Sequence, residues 1–169
     1  MEVRRMTSRD AAELSALSCE TFRLAFATVQ SLDNIEAYCR SVYDTPAIQA
    51  LLDDPLIHTE MACDEDVALG YLMVSHHVAP EGLPVAASEL KRLYLLPQAQ
   101  GLGVGSALLG RAVTAIGAAG RKHVWLSVAD ANLAAQRFYD RLGFAVIGGG
   151  HVFRVGTDRV PSRLMVKSL

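Results

Sequence analysis

Gln100, Gly103 and Gly105 lie in the stretch PQAQGLGVGSALL, residues 97–109, between an apolar run and a run with helical spacing. Gly101, Gly103 and Gly105 let a loop curl so that its main-chain N–H groups converge at the start of the helix predicted over roughly 104–118. A helix N-terminus carries about half a positive charge and several unpaired N–H donors, so an anion is its natural guest. A pyrophosphate fits such a cradle. A P-loop needs a lysine directly after its second glycine, and this loop has none. A dinucleotide-binding turn needs G-x-G-x-x-G or a final alanine. Gly101-x-Gly103 leads to Ser106 and Gly103-x-Gly105 leads to Leu108, so neither completes it. Two readings stay open: a Q-x-x-G-x-G anion loop, and a glycine-rich turn with no ligand.

Other reactive side chains carry less. His76 and His77 are adjacent, so on a strand they point to opposite faces and do not chelate together. One of them, His76, could line an acceptor pocket. His58, His123 and His151 have no ligand spacing, and Cys19, Cys39 and Cys63 are scattered. No metal is expected. Three unpatterned cysteines point to a reducing compartment and to packing roles. Ser127 has no legible His–Asp partners, so a hydrolase triad is unsupported. The GGG at 148–150 reads as a turn. The basic residues of the second half are dispersed, without aromatics for stacking, so nucleic acid is not an expected partner.

These groups need elements to hold them. EVRRM reads as a first strand. Thr7 or Ser8 caps a helix running to about Thr28, with Ala11, Leu14 and Leu17 at helical spacing. SLDNIEAYCRSVY is a second helix. TPAIQALLDD is a third, capped by Thr45 with Pro46 in its first turn. IHTEMAC and VALGYLMVSHHV are strands joined by the acidic turn DEDV, and APEGLP is a loop. SELKRLYLL is a strand ending at Pro97. After the glycine loop and its helix come the strand HVWLSVA and the helix DANLAAQRFYDRLGF, stopped by Gly143. AVIGGGHVFRV and PSRLMVKSL close the chain as strands. This order predicts an α/β (α+β) domain built on one mixed sheet, spanning residues 1–169.

The length of 169 residues suits one domain, and 51% hydrophobic with 20% charged residues suits a folded protein. The amino-terminal residues lack an apolar signal core, and the expected location is the cytoplasm. GLGVGSALLGRAVTAIGAAG is about as long as a membrane span. Arg111 and six glycines within it argue for a loop and a buried helix instead. Net charge is −2, but unevenly spread: residues 1–66 carry 13 acidic and 5 basic side chains, residues 67–169 carry 5 and 11. One half is suited to face an anion and the other a cation, although both could simply be solvated.

LYLLPQAQGLGVGSALL resembles the acyl-coenzyme-A loop of the GNAT N-acetyltransferase superfamily, whose motif is [QR]-x-x-G-x-[GA]. VADANLAAQRFYDRLGF matches a second block of that family, N-x-x-A-x-x-x-Y-x-x-x-G-F, through Asn132, Ala135, Tyr139, Gly143 and Phe144. Together the two blocks cover roughly residues 89–145. The resemblance implies a mostly antiparallel sheet with one splayed parallel pair, flanked by helices, and acetyl-CoA as cosubstrate. Backbone N–H groups of Gln100, Gly101, Leu102, Gly103, Val104, Gly105 and Ser106 would hold the pyrophosphate. Leu93, Tyr94 and Leu95 would pair with the pantetheine arm as if with a neighbouring strand, beside a splay near Ser127. Asn132 would bind the same arm or an adjacent part of the cofactor, and Tyr139, two helical turns on, would face the same cofactor. Tyr139 would serve the departing thiolate, and Glu89 would be the base that takes the amine proton, directly or through water. A solvated carboxylate is the other reading of Glu89, and a core phenol that of Tyr139.

The family resemblance leaves the acceptor open. CETFRLAF, SLDNIEAYCRSVYD and HVFRVG are also similar to bacterial spermine/spermidine N-acetyltransferases, which carry E-T-F in the first helix and F-x-x-G near the end. That likeness implies a polyamine or other small cationic amine. Glu20, Asp33, Glu36 and Asp44 would attract it, and Phe22, Phe26 and Tyr38 would flank its methylenes. A protein or peptide amine, an antibiotic amine and an amino acid are alternative acceptors. A non-catalytic acyl-CoA sensor and a nucleotide-dependent oxidoreductase are alternative functions. No membrane partner is expected, and a homodimer is compatible with the fold.

Overall fold

The structure is a computed structural model that describes residues 1–169 apart from Asp66, Pro80 and Val85; of Gly149, Gly150 and His151 the backbone alone is described. The expected DEDV turn and APEGLP loop each contain one of these positions and so lie partly outside the described residues. The chain runs β1 (Glu2–Arg5), a 3-10 turn, α1 (Ala11–Phe26), α2 (Leu32–Val42), α3 (Thr45–Asp53), β2 (Ile57–Asp64), β3 (Val67–Ser75) and β4 (Ala87–Leu95). A second 3-10 turn leads to α4 (Val104–Ala118), β5 (His123–Ala129), α5 (Leu133–Arg141), β6 (Ala145–Val155) and β7 (Asp158–Ser168).

The strands form one sheet in the order β1-β2-β3-β4-β5-β7-β6. Every neighbouring pair is antiparallel except β4 and β5. Apolar side chains gather on both faces of this sheet. On one face α4 and α5 cover Leu72, Leu90, Val124 and Leu126. On the other, α1, α2 and α3 cover Met61, Tyr71 and Met73. α1 buries Ala11, Leu14 and Leu17, the positions their spacing predicts, and α4 buries Leu108, Ala112 and Ile116. Arg111, which interrupts the apolar run, reaches across to Glu60 on β2 with two hydrogen bonds of 2.8 and 3.1 Å. No described helix is long and apolar enough to cross a membrane.

Three local expectations are corrected. The helix predicted from Thr7 onward begins as a 3-10 turn over Ser8–Asp10, where the Asp10 carboxylate accepts from the Thr7 N–H and hydroxyl. The cap of α3 is Asp44, which accepts from the Ala47 N–H at 3.0 Å, because its extended backbone aims the carboxylate at the first turn. GGG at 148–150 is no turn but part of β6, whose pairing with β7 shifts register between Val146 and Gly148 and again between Gly149 and His151. Each bulge absorbs a residue that has no opposite number. Gly143 does end α5, with φ +85° and the Phe144 N–H returning to the Tyr139 carbonyl.

Candidate active site

β4 and β5 run side by side only over Ala87–Glu89 and His123–Trp125. Beyond them β4 continues for six residues and β5 for four without pairing to each other. A bulge helps cause the separation. Met73 faces Arg92 and Val74 faces Leu90, so β4 holds one residue more than β3 at this point and bends. The bulge also changes which face each side chain meets. Leu90 and Arg92 would share a face on a regular strand. Here Leu90 packs with the α4 side, while the Arg92 guanidinium lies over the Tyr43 ring on the α1 side, 4.6 Å from its centre.

The split opens into a cleft of about 620 Å³ that passes through the sheet. From the α4–α5 face it is lined by Gln100, Asn132, Ala135 and Tyr139. From the opposite face it is lined by the chain leaving α1, including Phe26 and Gln30, and by Phe153, Arg159 and Val160 of the β6–β7 hairpin. Two reactants can therefore approach one another from opposite faces. The strand edges that border the cleft, Leu90–Tyr94 and Leu126–Ala129, carry main-chain N–H and C=O groups that have lost their inter-strand partners. An extended chain with amide groups can pair with them.

At the far end of β4, Gly101 and Gly103 have φ of +76° and +81°, and Gly103 is the residue that caps α4. A side chain in that left-handed region costs about 1–2 kcal/mol, which explains glycine at the cap. The N–H groups of Val104, Gly105 and Ser106 belong to the first turn of α4 and have no acceptor within the helix. Gln100, Gly101, Leu102, Gly103 and Ser106 are exposed, so the loop is open to an anion from solvent. Leu93 and Tyr94 line the cleft. Leu95 packs beside Gly105 at the base of the loop.

Asn132 caps α5 by accepting from the Ala135 N–H at 3.0 Å, which leaves its side-chain NH₂ directed by the same rigid cap. Gln136 fixes the start of α5 to the end of β5 through the Ala129 and Asp130 carbonyls. Tyr139 is 9% exposed and borders the cleft, with Phe138 and Phe144 edge-on to its ring. Burial pushes its phenol well up, so it keeps its proton at neutral pH. Glu89 is half-buried at the last paired position, opposite Trp125, with Lys91 Nζ 3.7 Å from its carboxylate. It does not line the cleft; it stands at the apex of the split.

The other expected acceptor residues divide. Phe26 lines the cleft. Phe22 does not: at 1% exposure it lies within an aromatic stack, 4.4 Å from Phe26 and from Tyr38. Tyr38 backs the wall through Phe22 and Tyr43. His76 lies away from the cleft, hydrogen-bonded to the Ser88 hydroxyl at 2.8 Å, while His77 meets Asp54. Of the acidic residues expected to draw a cation, Glu36 is held by a two-bond ion pair with Arg23, Asp44 caps α3, and neither Glu20 nor Asp33 lines the cleft. Ser127 lines it and meets the Ser162 hydroxyl at 2.9 Å, not a histidine. Among the described residues no three His, Cys, Asp or Glu side chains gather as a metal site would require. Sequence reasoning missed Arg92, Arg159 and Gln30. The run KRLYLL carried a signal for Arg92, an arginine between leucines in a central strand, but its face depends on the bulge.

The geometry agrees with comparisons to known proteins. Residues 20–144 match the model of the acetyltransferase (GNAT) family. An uncharacterized N-acetyltransferase of Mycobacterium tuberculosis is 31% identical over 160 residues, 95% of this chain and 98% of that protein. Among solved structures, the PaiA N-acetyltransferase of Thermoplasma acidophilum in complex with coenzyme A superposes with a TM-score of 0.82 at 22% identity, covering 99% of this chain and 98% of that one. An acetyltransferase of Thermus thermophilus superposes with a TM-score of 0.70 at 23% identity, covering 100% and 98%.

Proposed function

The chain belongs to the acetyltransferase (GNAT) family, acetyl-CoA-dependent N-acetyltransferases, and from that premise we propose that its split sheet carries acetyl from acetyl-CoA directly to a primary amine of a small molecule. One observation carries the reading: β4 and β5 part after Glu89 and Trp125, and the strand edge so freed leads straight into the glycine-capped start of α4. The residues fit the cosubstrate on two counts. The left-handed glycines present N–H donors to a diphosphate, and the freed strand edges offer partners to the amides of a pantetheine arm. That the Thermoplasma relative is described in complex with coenzyme A supports the assignment.

Acetyl-CoA supplies an activated thioester. The amine nitrogen forms the new C–N bond, the C–S bond breaks, the nitrogen loses one proton and the sulfur gains one. Tyr139 holds a proton at its phenol beside the cleft and gives it to the sulfur. Glu89, at the apex, takes the nitrogen's proton through water. A main-chain N–H on the freed strand edge stabilises the carbonyl oxygen as charge develops on it. Solvent then restores both side chains, and residues 1–169 act as one domain whose two sheet faces receive the two reactants. A polyamine or other small cationic amine is one acceptor class for this site. Of the carboxylates proposed to attract it, none lines the cleft, so that choice rests on the resemblance of the first two helices alone.

The test is release of free thiol from acetyl-CoA by the full chain in the presence of a panel of amines. Amine-dependent release supports the reading. Coenzyme A binding without release from any amine overturns it and leaves an acyl-CoA sensor.

A further inference from the structure

The charged side chains that line the cleft are Lys91, Arg92 and Arg159; no aspartate or glutamate lines it among the described residues. Arg92 is the unusual member. It is 8% exposed, yet its guanidinium meets no carboxylate among the described residues. Among the described residues its ring stacking is on Tyr43 and its one hydrogen bond goes to Met73 Sδ at 3.8 Å. A guanidinium has five N–H donors in a planar fork, and a ring against one face leaves the edge free to donate. The phenols of Tyr71, Tyr38 and Tyr94 also lie near this cation, but no carboxylate among the described residues offsets the cost of burying it.

The cosubstrate's phosphates are not that partner in the proposed arrangement. Their cradle is the start of α4, and α4 packs against the opposite face of the sheet from Tyr43. Arg92 instead faces the side bordered by Phe26, Gln30, Phe153 and Arg159, where the acceptor enters. The Gln30 side-chain oxygen is buried and, among the described residues, without a hydrogen-bond partner; it can accept from an amine N–H, not from a carboxylate.

We infer that the acceptor is an amine that also bears a carboxylate, with the carboxylate on the edge of the Arg92 guanidinium and the amine directed toward the split between β4 and β5. The planar fork matches a carboxylate in two parallel hydrogen bonds. A singly charged carboxylate also loses less hydration than a doubly charged phosphate on entering so buried a position. Arg159, exposed at the rim, attracts the same charge from solution. This inference deepens the transferase reading and rests on it, and it predicts discrimination against polyamines.

The experiment compares thiol release by the full chain with L-amino acids, the corresponding L-amino-acid amides, β-alanine and spermidine. The expected result is a kcat/KM for at least one carboxylate-bearing amine about tenfold or more above its own amide and above spermidine. Arg92→Met is expected to raise KM for that acid about tenfold to a hundredfold and to collapse the acid-to-amide ratio, and Arg92→Lys to restore part of it. Arg159→Ala, at an exposed position, reduces the same ratio more weakly and makes it less dependent on salt. Equal or better turnover of the amides or of spermidine by the unaltered protein overturns the inference and leaves the transferase reading intact. Absence of release with every amine overturns the transferase reading, and the inference with it.

Discussion

Glu89 on β4 lies opposite Trp125 on β5, and among the described residues this is the last point at which the two parallel strands meet. Everything proposed for the cleft depends on that parting. Above it the sheet is continuous; below it two strand edges face one another across the space bordered by Tyr139, Arg92 and Gln100.

Tyr139→Phe removes the proton that the phenol holds beside the cleft and leaves the ring packed on Phe138 and Phe144. The expected outcome is a kcat about a hundredfold lower, with coenzyme A affinity changed less than threefold. Because burial raises the phenol's pKa, the unaltered protein shows no loss of this donor as pH rises through the neutral range. Steady-state kinetics beside calorimetric titration of coenzyme A separates the two quantities.

Glu89→Gln keeps the shape at the apex of the split but cannot accept a proton. A fall of about 10²-fold in kcat is expected, together with a changed pH–rate profile. An unchanged profile contradicts the role given to Glu89.

Gly103→Ala places a side chain at φ +81°, at the cap of α4. The strain is about 1–2 kcal/mol. Relief of that strain turns N–H groups away from the anion, so the affinity for coenzyme A is expected to fall about tenfold while pantetheine, which lacks the diphosphate, is affected little. Titration of both ligands checks it.

Gly156→Ala tests the wall on the acceptor side. Gly156 has φ +58°, and a Cβ there would fall 2.2 Å from Asn34 Oδ1, the oxygen that accepts from the Thr157 N–H. The substitution pushes α2 from the β6–β7 hairpin. KM for the acceptor is expected to rise several-fold with KM for acetyl-CoA nearly constant.

Glu60 joins α4 to β2 through Arg111, and so holds the helix whose start is the proposed anion cradle. Burial pushes its carboxyl up, but hydrogen bonds from Arg111 and His58 outweigh burial and keep it below its ordinary value. A carboxyl lowered in this way stabilises the fold above its unfolded pKa, and that stability is lost as pH falls through the lower folded value. Burial and Arg5 lower His58, so acidification also places an unfavourable charge there. Glu60→Gln is expected to cost about 2 kcal/mol at pH 7, tempered by the exposure of Arg111, or roughly 4–8 °C in Tm. The difference from the unaltered protein should shrink below about pH 4. Thermal melts at several pH values measure it.

Much of this was legible in the residues themselves. The order of helices and strands followed from spacing and from Gly143, and the glycines of residues 101–105 placed the turn that opens α4. What escaped was non-local. Whether Arg92 shares a face with Leu90 is decided by one inserted residue in β4, which alternation alone does not reveal. Glu36 looked available to a cation until Arg23, 13 residues away on α1, was found against it. GGG at 148–150 looked like a turn because glycine is common in both turns and bulges, and only the β7 register distinguishes them. Phe22 had the right type for a substrate wall but points into the stack behind it.

The most direct measurement is a crystal structure of the full chain with coenzyme A. The account predicts the diphosphate on the N–H groups of residues 101–106 and the pantetheine arm paired along Leu93–Leu95, with its sulfur near Tyr139. A coenzyme A whose diphosphate lies elsewhere, or β4 and β5 found closed and paired past Glu89 with the ligand outside them, would contradict it.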